Sequence, residues 1–239
     1  MTLLRSAAFF LVQSALTIVW SLLSLLTFPF APITRYRFIT LWSRMVIWLA
    51  RTLCGIRYEV RGLDNLPGQP AIVLSKHQSA WETLAFQVFL PPQVWVIKRE
   101  LLLVPFFGWG LAMMSPIAID RAGGMKALRQ TLEQGRERLA QGFWIVVFPE
   151  GHRFPPGQKG TYHAGGAWLA TQTGAPVVPI ALNSGHVWPR DAFVKYPGKI
   201  TVSIGPVIDP KGMKPDELNR RAEAWIESEV ARLGNGRDG

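Results

Sequence analysis

The chain has 239 residues, enough for one large domain or for one domain with an appendage. Hydrophobic residues make up 49% of it and charged residues 18%, which excludes a disordered, collagen-like or coiled-coil protein. Basic residues outnumber acidic ones by 26 to 16, and this excess predicts an anionic partner. Because ten tryptophans accompany a mean hydropathy of +0.15, we predict that the partner is a lipid surface and not nucleic acid.

The N-terminal fifth of the chain is predicted to be a membrane element. Residues 6–34 contain no Asp, Glu, Lys or Arg, and a helix of that length can cross the hydrocarbon of a bilayer. Pro29 and Pro32 end this stretch and turn the chain. A single span and a hairpin within one leaflet both fit, and a buried helix of a soluble domain is the third reading. A cleaved signal peptide is disfavoured, because the apolar run is long and no small-x-small site follows it.

A second apolar stretch, Phe38–Ile56, differs from the first because arginines recur in it. Arg37, Arg44 and Arg51 are seven residues apart, so a helix would place them on one stripe, at the depth of lipid phosphates. We therefore predict a membrane-embedded pair of helices with these three arginines at the membrane interface. The positive-inside rule then places the rest of the chain on the cytoplasmic side of the inner membrane.

The remaining chain has the alternating pattern of an α/β domain. Short apolar runs predict strands at 57–61, 71–75, 94–98, 116–120, 143–148, 177–182 and 199–204. Helical patterns lie between or after them, at 79–90, 125–141, 161–173 and 215–233. We expect a largely parallel mixed sheet flanked by helices. The predicted division is a membrane segment at 1–56, an α/β domain at 57–234 and a flexible tail at 235–239.

The first candidate site follows the predicted strand at 71–75. His77 and Glu82 can meet if the histidine lies in the loop and the glutamate lies in the first turn of the next helix. Ser79 and Glu82 have the spacing of a capping box, which supports that placement. A histidine held by a carboxylate is typical of a general base, so the pair is a candidate catalytic dyad. A helix-capping role for Glu82 alone is the alternative.

The second candidate site is the turn after the predicted strand at 143–148. Glu150, Gly151 and Arg153 occupy it. A glycine turn exposes backbone amides, and a guanidinium matches the geometry of phosphate oxygens. This pattern predicts an anion-binding turn in which Glu150 orients Arg153 or holds the turn, with an ordinary surface ion pair as the alternative.

Taken in order, these segments resemble the 1-acylglycerol-3-phosphate acyltransferases, a family of membrane glycerolipid acyltransferases. The four matching blocks are His77 to Glu82, Ser115 to Arg121, Phe148 to Arg153 and Val177 to Ala181. The segment from Lys98 to Trp109 and the pair Lys159-Gly160 are similar to further parts of the family pattern. The chain departs from it at three positions, where Glu82, Ser115 and His152 replace aspartate, glycine and threonine.

The resemblance implies a glycerolipid acyltransferase-like fold and a reaction. An acyl chain would pass from acyl-CoA or acyl-ACP (acyl carrier protein) to the sn-2 hydroxyl of lysophosphatidic acid, giving phosphatidic acid for phospholipid biosynthesis. His77 would be the base and Glu82 its orienting carboxylate. The implied phosphate-binding residues are Arg121, Glu150, Gly151 and Arg153. Lys98 and Lys159 are candidates for an oxyanion or substrate contact.

No cofactor or metal is expected, since the thioester is a co-substrate and no His/Cys/Asp cluster has the spacing of a metal site. His163 and His186 are predicted to have structural or surface roles. Two alternatives stay open. One is an acyltransferase of another lysolipid, such as a lysophospholipid with a headgroup or a lyso-ornithine lipid. The other is a non-catalytic protein that binds anionic lipid.

Overall fold

The computed structural model describes residues 1–119, 124–234 and 236, apart from the side chains of 125–127. Its α-helices are α1 (Thr2–Leu25), α2 (Pro32–Ile39), α3 (Leu41–Cys54), α4 (Trp81–Phe89), α5 (Phe107–Met113), α6 (Gly124–Ala140), α7 (Gly165–Thr173) and α8 (Pro215–Arg232). Its strands are β1 (Ile56–Arg61), β2 (Ile72–Ser75), β3 (Gln93–Lys98), β4 (Ile117–Ile119), β5 (Trp144–Val147), β6 (Val177–Leu182) and β7 (Gly198–Ile204).

The strands form one sheet in the order β1-β7-β6-β2-β5-β3-β4. Every neighbouring pair is parallel except β6 and β7, so β7 and β1 run against the other five strands. Helices pack directly on the sheet, with α7 on β2, α8 on β6, α6 on β4 and β5, and α3 on β1. The predicted α/β fold, a largely parallel mixed sheet flanked by helices, is confirmed.

The burial of the central strands explains why the sequence predicted them. All residues of β2 and β6 are buried, as parallel strands covered on both faces require, and such strands are continuous apolar runs. Because β2, β5, β6 and β3 run in the same direction, their carboxyl ends meet at one edge of the sheet. The segments that follow β2 and β5 there contain both candidate sites.

The N-terminal segment differs from the predicted pair of membrane helices. Of the described helices, α1 alone is long and apolar enough to span a membrane; its most apolar window has a mean hydropathy of 1.9 and is 17% buried. The second apolar stretch is divided at Thr40 into α2 and α3, so Arg37 lies on a different helix from Arg44 and Arg51. The expectation of a second membrane-embedded helix is therefore wrong.

The physical reason is the inner face of α3, which contributes to the protein core. Val46 and Ala50 on this face are fully buried, and the helix packs against α4 and β1. Arg44, Trp48 and Arg51 lie on the opposite, exposed face, spaced as one helical stripe. The predicted flexible tail at 235–239 lies outside the described residues except for Gly236, whose carbonyl accepts a hydrogen bond from the Lys199 amide.

Candidate active site

The loop between β2 and α4 brings His77 and Glu82 together. His77 Nδ1 lies 2.9 Å from Glu82 Oε1, and the glutamate side chain is fully buried while the histidine side chain is 12% exposed. Because a carboxylate only accepts hydrogen bonds, Nδ1 carries the proton and donates it. Nε2 is then the basic nitrogen of the ring, which is the tautomer that a general base needs.

Glu82 is held by several donors besides His77. Its Oε1 accepts hydrogen bonds from the backbone amides of Gln78 (2.7 Å) and Ser79 (2.8 Å), and the second is the return half of a capping box. Ser79 Oγ accepts a hydrogen bond from the Trp81 amide, and the helix begins at Trp81 after Ala80 as its N-cap, two residues later than predicted. The helix-capping and histidine-orienting roles of Glu82 therefore coexist in one carboxylate.

Ser184 is a site residue that sequence reasoning missed. It follows β6 and donates a hydrogen bond of 2.8 Å from Oγ to Glu82 Oε2. The two residues are 102 positions apart, and no local pattern marks the serine. A parallel strand order that places β6 beside β2 is the one signal that could have found it.

The imidazole ring is also fixed from one face. It stacks on Phe148 with ring centroids 3.9 Å apart and planes 15° apart. The loop that carries His77 bonds to the segment after β5, since the Phe154 amide donates to the His77 carbonyl at 2.9 Å. The two candidate sites are thus neighbours in the fold.

Glu150 does not face the substrate side of this turn. Its buried carboxylate accepts hydrogen bonds from Lys76 Nζ (2.8 Å), the Gly160 amide (2.9 Å) and the His77 amide (3.2 Å). A carboxylate engaged in this way would also repel a phosphate. The predicted place of Glu150 among the phosphate-binding residues is therefore corrected: it holds the turn, which was the other predicted option.

Gly151 and Arg153 complete the turn. Gly151 has a φ of +69°, a left-handed conformation that favours glycine, and its amide donates to the Phe148 carbonyl at 3.0 Å. That amide is therefore used within the turn and not offered to a phosphate as predicted. Arg153 keeps a half-exposed guanidinium whose Nη1 is 3.8 Å from Asp191 Oδ1, too far for a firm hydrogen bond.

A cavity of about 670 Å³ opens beside the dyad. Its wall combines His77, Gly151 and Arg153 with apolar side chains from α4, β3, α5 and α7. Helix α1 also contributes to it, through Thr17, Trp20, Ser21 and Ser24. Among the described residues of the wall, Lys98 and Arg153 are the permanent cations, and none is an aspartate or glutamate. The arrangement suits an anionic ligand with a long apolar part.

Comparison with known proteins decides the family. An acyltransferase family model matches residues 57–183. The chain is 49% identical over 235 residues to the 1-acyl-sn-glycerol-3-phosphate acyltransferase of Pseudomonas aeruginosa, covering 96% of this chain and 91% of that protein. The chain belongs to the acyltransferase family.

Two further matches extend over much of the chain. The human 1-acyl-sn-glycerol-3-phosphate acyltransferase alpha is 32% identical over 187 residues, which are 75% of this acyltransferase and 65% of the human protein. The crystal structure of the 1-acyl-sn-glycerophosphate (LPA) acyltransferase PlsC from Thermotoga maritima is 24% identical and superimposes with a TM-score of 0.82, covering 97% of this chain and 95% of that one. At that identity, the last match shows the fold.

The remaining predicted site residues of the acyltransferase are Lys98, Lys159 and Arg121, and of those that the structure describes Lys98 alone is in the cavity wall. Lys98 ends β3 and lies in the cavity wall. Lys159 is half-exposed and forms an ion pair of 2.7 Å with Glu223 on α8, and it is not part of the wall, so its predicted substrate contact is not supported. That ion pair raises the pKa of Lys159. Arg121 lies outside the described residues.

His163, predicted to be structural, lies in the cavity wall, and its amide donates to the Pro149 carbonyl at 2.9 Å. Within residues 1–119, 124–234 and 236, no group of three or more His, Cys, Asp or Glu side chains could hold a metal ion.

Proposed function

We propose that this acyltransferase moves a fatty acyl chain from an acyl thioester to the sn-2 hydroxyl of 1-acylglycerol-3-phosphate, giving phosphatidic acid for phospholipid biosynthesis. One observation carries the proposal: His77, which is hydrogen-bonded to the buried Glu82, lies in the wall of an apolar cavity that also contains Arg153. The names of the Pseudomonas and human relatives support the choice of acceptor.

The dyad supplies the proton chemistry. His77 Nε2 takes the proton of the acceptor hydroxyl as its oxygen attacks the thioester carbonyl, and Glu82 stabilises the imidazolium that forms. When the tetrahedral intermediate collapses, the carbon–sulfur bond breaks and the thiolate leaves. The imidazolium returns its proton to the thiolate, so the products are the new ester and a free thiol. No acyl-enzyme is needed, because both substrates can be held in one cavity.

Arg153 and Lys98 supply the cationic groups. We assign the acceptor phosphate to Arg153, whose guanidinium is not firmly paired within the protein. Arg121 keeps its proposed part in phosphate binding. Lys98, at the end of the strand next to β5, is a candidate for the oxyanion of the tetrahedral intermediate. The apolar part of the cavity then binds the acyl chain of a substrate.

The donor is acyl-CoA or acyl-ACP, with no further cofactor. Both donors are acidic, and a chain with a net charge of +10 attracts either of them electrostatically. Acyl-CoA and acyl-ACP both present an acyl thioester on a phosphopantetheine arm. Rates measured with each donor therefore distinguish between them.

The decisive experiment is an acceptor and donor comparison with the purified full chain in detergent. Phosphatidic acid formation and thiol release are measured with acyl-CoA and with acyl-ACP. The acceptors are lysophosphatidic acid, a lysophospholipid with a headgroup and a lyso-ornithine lipid. We expect lysophosphatidic acid to be preferred and the His77→Ala variant to be inactive, while His152→Ala, at an exposed histidine outside the cavity wall, keeps the activity. Equal rates on an acceptor without a terminal phosphate would overturn the proposal.

We also propose that the protein lies on the cytoplasmic face of the inner membrane, with α1 embedded in one leaflet. Near its beginning, α1 is fixed to the catalytic domain by a hydrogen bond of 3.0 Å from the Lys195 amide to Ser6 Oγ and by an edge-to-face contact of Phe9 with Trp188. Near its end, Ser21 and Ser24 approach Gly110 of α5 closely. A helix held at both ends cannot cross the bilayer without taking the domain into the hydrocarbon.

Exposed apolar side chains beside α1 support this placement. Leu103, Phe106 and Trp109, next to or within α5, are 80%, 36% and 41% exposed, and α5 packs on α1. Arg44, Trp48 and Arg51 on the outer face of α3 suit the headgroup region, as does the exposed Arg37. We accordingly propose that residues 1–56 contact the membrane and that 57–234 form the catalytic domain.

Cysteine labelling tests this placement. Cys54 is buried and burial raises its pKa, so the wild-type protein gives a low background with a membrane-impermeant maleimide. A cysteine introduced at Leu4 should react from the cytoplasmic side of inverted vesicles. Labelling of that position from the opposite side alone would show that α1 crosses the membrane and would overturn the single-leaflet placement.

A further inference from the structure

Lys76 precedes His77 directly, yet its side chain points away from the cavity. It is fully buried, and its ammonium lies 2.8 Å from Glu150 Oε1, 2.9 Å from Glu227 Oε1 and 3.2 Å from the Gln158 carbonyl. These three acceptors match the three N–H donors of a lysine. Lys76 therefore has no donor left for a substrate phosphate or an oxyanion.

The partners of Lys76 join three parts of the molecule. Glu150 belongs to the turn after β5 and also accepts the His77 amide. Glu227 lies on α8, 151 residues after the lysine and beyond the residues that the family model matches. Tyr162 donates a second hydrogen bond, of 2.7 Å, to Glu227 Oε1. Burial and the contact with Glu227 raise the pKa of the Tyr162 phenol, so the hydroxyl stays protonated and remains a donor.

The cost of burying these charges makes a purely stabilising role a poor explanation. Removing a lysine from water carries a large desolvation penalty, and buried ion pairs often contribute little net stability. What such a network does provide is fixed geometry, since every member has its partners. Here the fixed elements are the backbone of His77 and the turn that carries Arg153.

We infer that Lys76 and Glu227 are positioning residues, which hold the loop of the general base and the phosphate-binding turn in register, and that α8 thereby helps to position the site through Glu227. Lys76 acts through the backbone of the next residue and through Glu150. Glu227 acts through Lys76. The expected effect of these residues on catalysis rests on the proposed function. Their expected effect on the order of the two loops is independent of it.

Glu227→Gln tests the inference against a matched control, Glu229→Gln. Both glutamates lie on α8 and are about equally exposed, at 25% and 20% of the side chain, but Glu229 accepts its hydrogen bond from Ser203 of β7. Amide hydrogen exchange is followed in the peptides that cover residues 76–82 and 148–160. In the same preparations kcat and KM are measured with lysophosphatidic acid.

We expect exchange in those two peptides to become about tenfold faster in Glu227→Gln and to stay unchanged in Glu229→Gln, because local protection reports the stability of the contacts that hold a segment. We expect kcat to fall about tenfold with KM nearly unchanged, since slight misplacement of a base slows the chemical step. Tyr162→Phe, which removes only the hydroxyl donor to Glu227, should show the same pattern with roughly threefold effects.

Equal exchange in Glu227→Gln and Glu229→Gln would overturn the inference, whatever the activity. So would an increase in KM with an unchanged kcat, which would make Glu227 a substrate-binding residue. A wild-type protein that transfers no acyl chain to lysophosphatidic acid would contradict the proposed function alone, because the exchange experiment still decides the positioning role.

Discussion

Glu82 and Glu150 form an informative pair. Both follow neighbouring parallel strands at the same edge of the sheet, both are buried, and both accept backbone amides of the loop around His77. Glu82 also binds the imidazole of His77, which can gain and lose a proton, whereas Glu150 binds Lys76, a lysine buried outside the cavity wall. In the roles we propose, the same residue type thus serves proton transfer in one loop and positioning in the other, and the partner decides which.

Replacing the base itself should have the largest effect. In the proposed mechanism His77→Ala removes the group that accepts the hydroxyl proton, so we expect kcat to fall about a thousandfold, within the range typical of general-base catalysis. Thiol release from acyl-CoA measures it. The thermal midpoint should fall as well, because Glu82 loses a hydrogen bond and Phe148 loses its stacking partner. A variant that keeps a tenth of the activity would exclude His77 as the base.

The two glutamates should then separate into different kinds of loss. We expect Glu82→Gln to lower kcat about a hundredfold, because the amide keeps the shape but no longer stabilises the imidazolium. Glu150→Gln should lower kcat less, about tenfold, because Glu150 acts only through the position of the His77 loop. It should also lower the free energy of unfolding by about 2 kcal/mol, less than a fully broken buried pair, since Glu227 still pairs with Lys76. Urea unfolding and initial rates, measured on both variants, give the comparison. It would fail if both variants lost activity and stability equally.

Arg153 and Glu150 lie in the same turn but have different proposed roles: Glu150 holds the turn, and Arg153 binds the acceptor phosphate. Arg153→Met keeps much of the side-chain length and removes the charge. We expect KM for lysophosphatidic acid to rise about tenfold to a hundredfold, the loss of one or two charge-assisted hydrogen bonds, with a smaller change in kcat. KM for the thioester donor is the internal control. An equal rise in both KM values would place Arg153 elsewhere than at the acceptor phosphate.

A variant of Ser184 tests whether the hydrogen bond that this serine donates to Glu82 contributes to activity. Ser184→Ala removes one hydrogen bond to Oε2 and leaves the two amides and His77 on Oε1. One neutral donor to a carboxylate contributes about 1.5 kcal/mol, so we expect kcat to fall roughly threefold to tenfold. Adding the variant to Glu82→Gln in a double-mutant cycle should give a much smaller further loss. Full additivity would mean that the serine acts independently of Glu82.

These residues also show what the sequence could and could not predict. The seven strands and the His77–Glu82 contact depend on local patterns, namely apolar runs and a spacing of five residues, and such patterns are visible without a fold. Ser184 and Glu227 reach the site only through tertiary packing, from 102 and 151 positions away, and neither has a local signature. Their detection requires the strand order and the docking of α8.

The errors near the N-terminus have a similar cause. Arginines every seven residues predicted one helix across Phe38–Ile56, but the spacing does not say which partner covers the apolar face. Core contacts with α4 and β1 cover it, and the helix breaks at Thr40. The sequence did not predict the helix α5 because its two glycines weaken the helical pattern; Gly110 lies against Ser21 and Ser24 of α1.

Lys159 gives the smallest expected effect and a strict check on the role assigned to α8. It lies close to Glu150 in sequence, but its ammonium pairs with Glu223 at the surface, outside the cavity wall. Because an exposed pair of this kind contributes little, Lys159→Ala should leave kcat and KM within about twofold of the wild type. Glu223→Gln on the same helix should behave identically. A large loss in either variant would mean that α8 acts on the site through its surface pair with Lys159 rather than through Glu227 and Lys76, and the distinction between the buried and exposed contacts of this helix would be wrong.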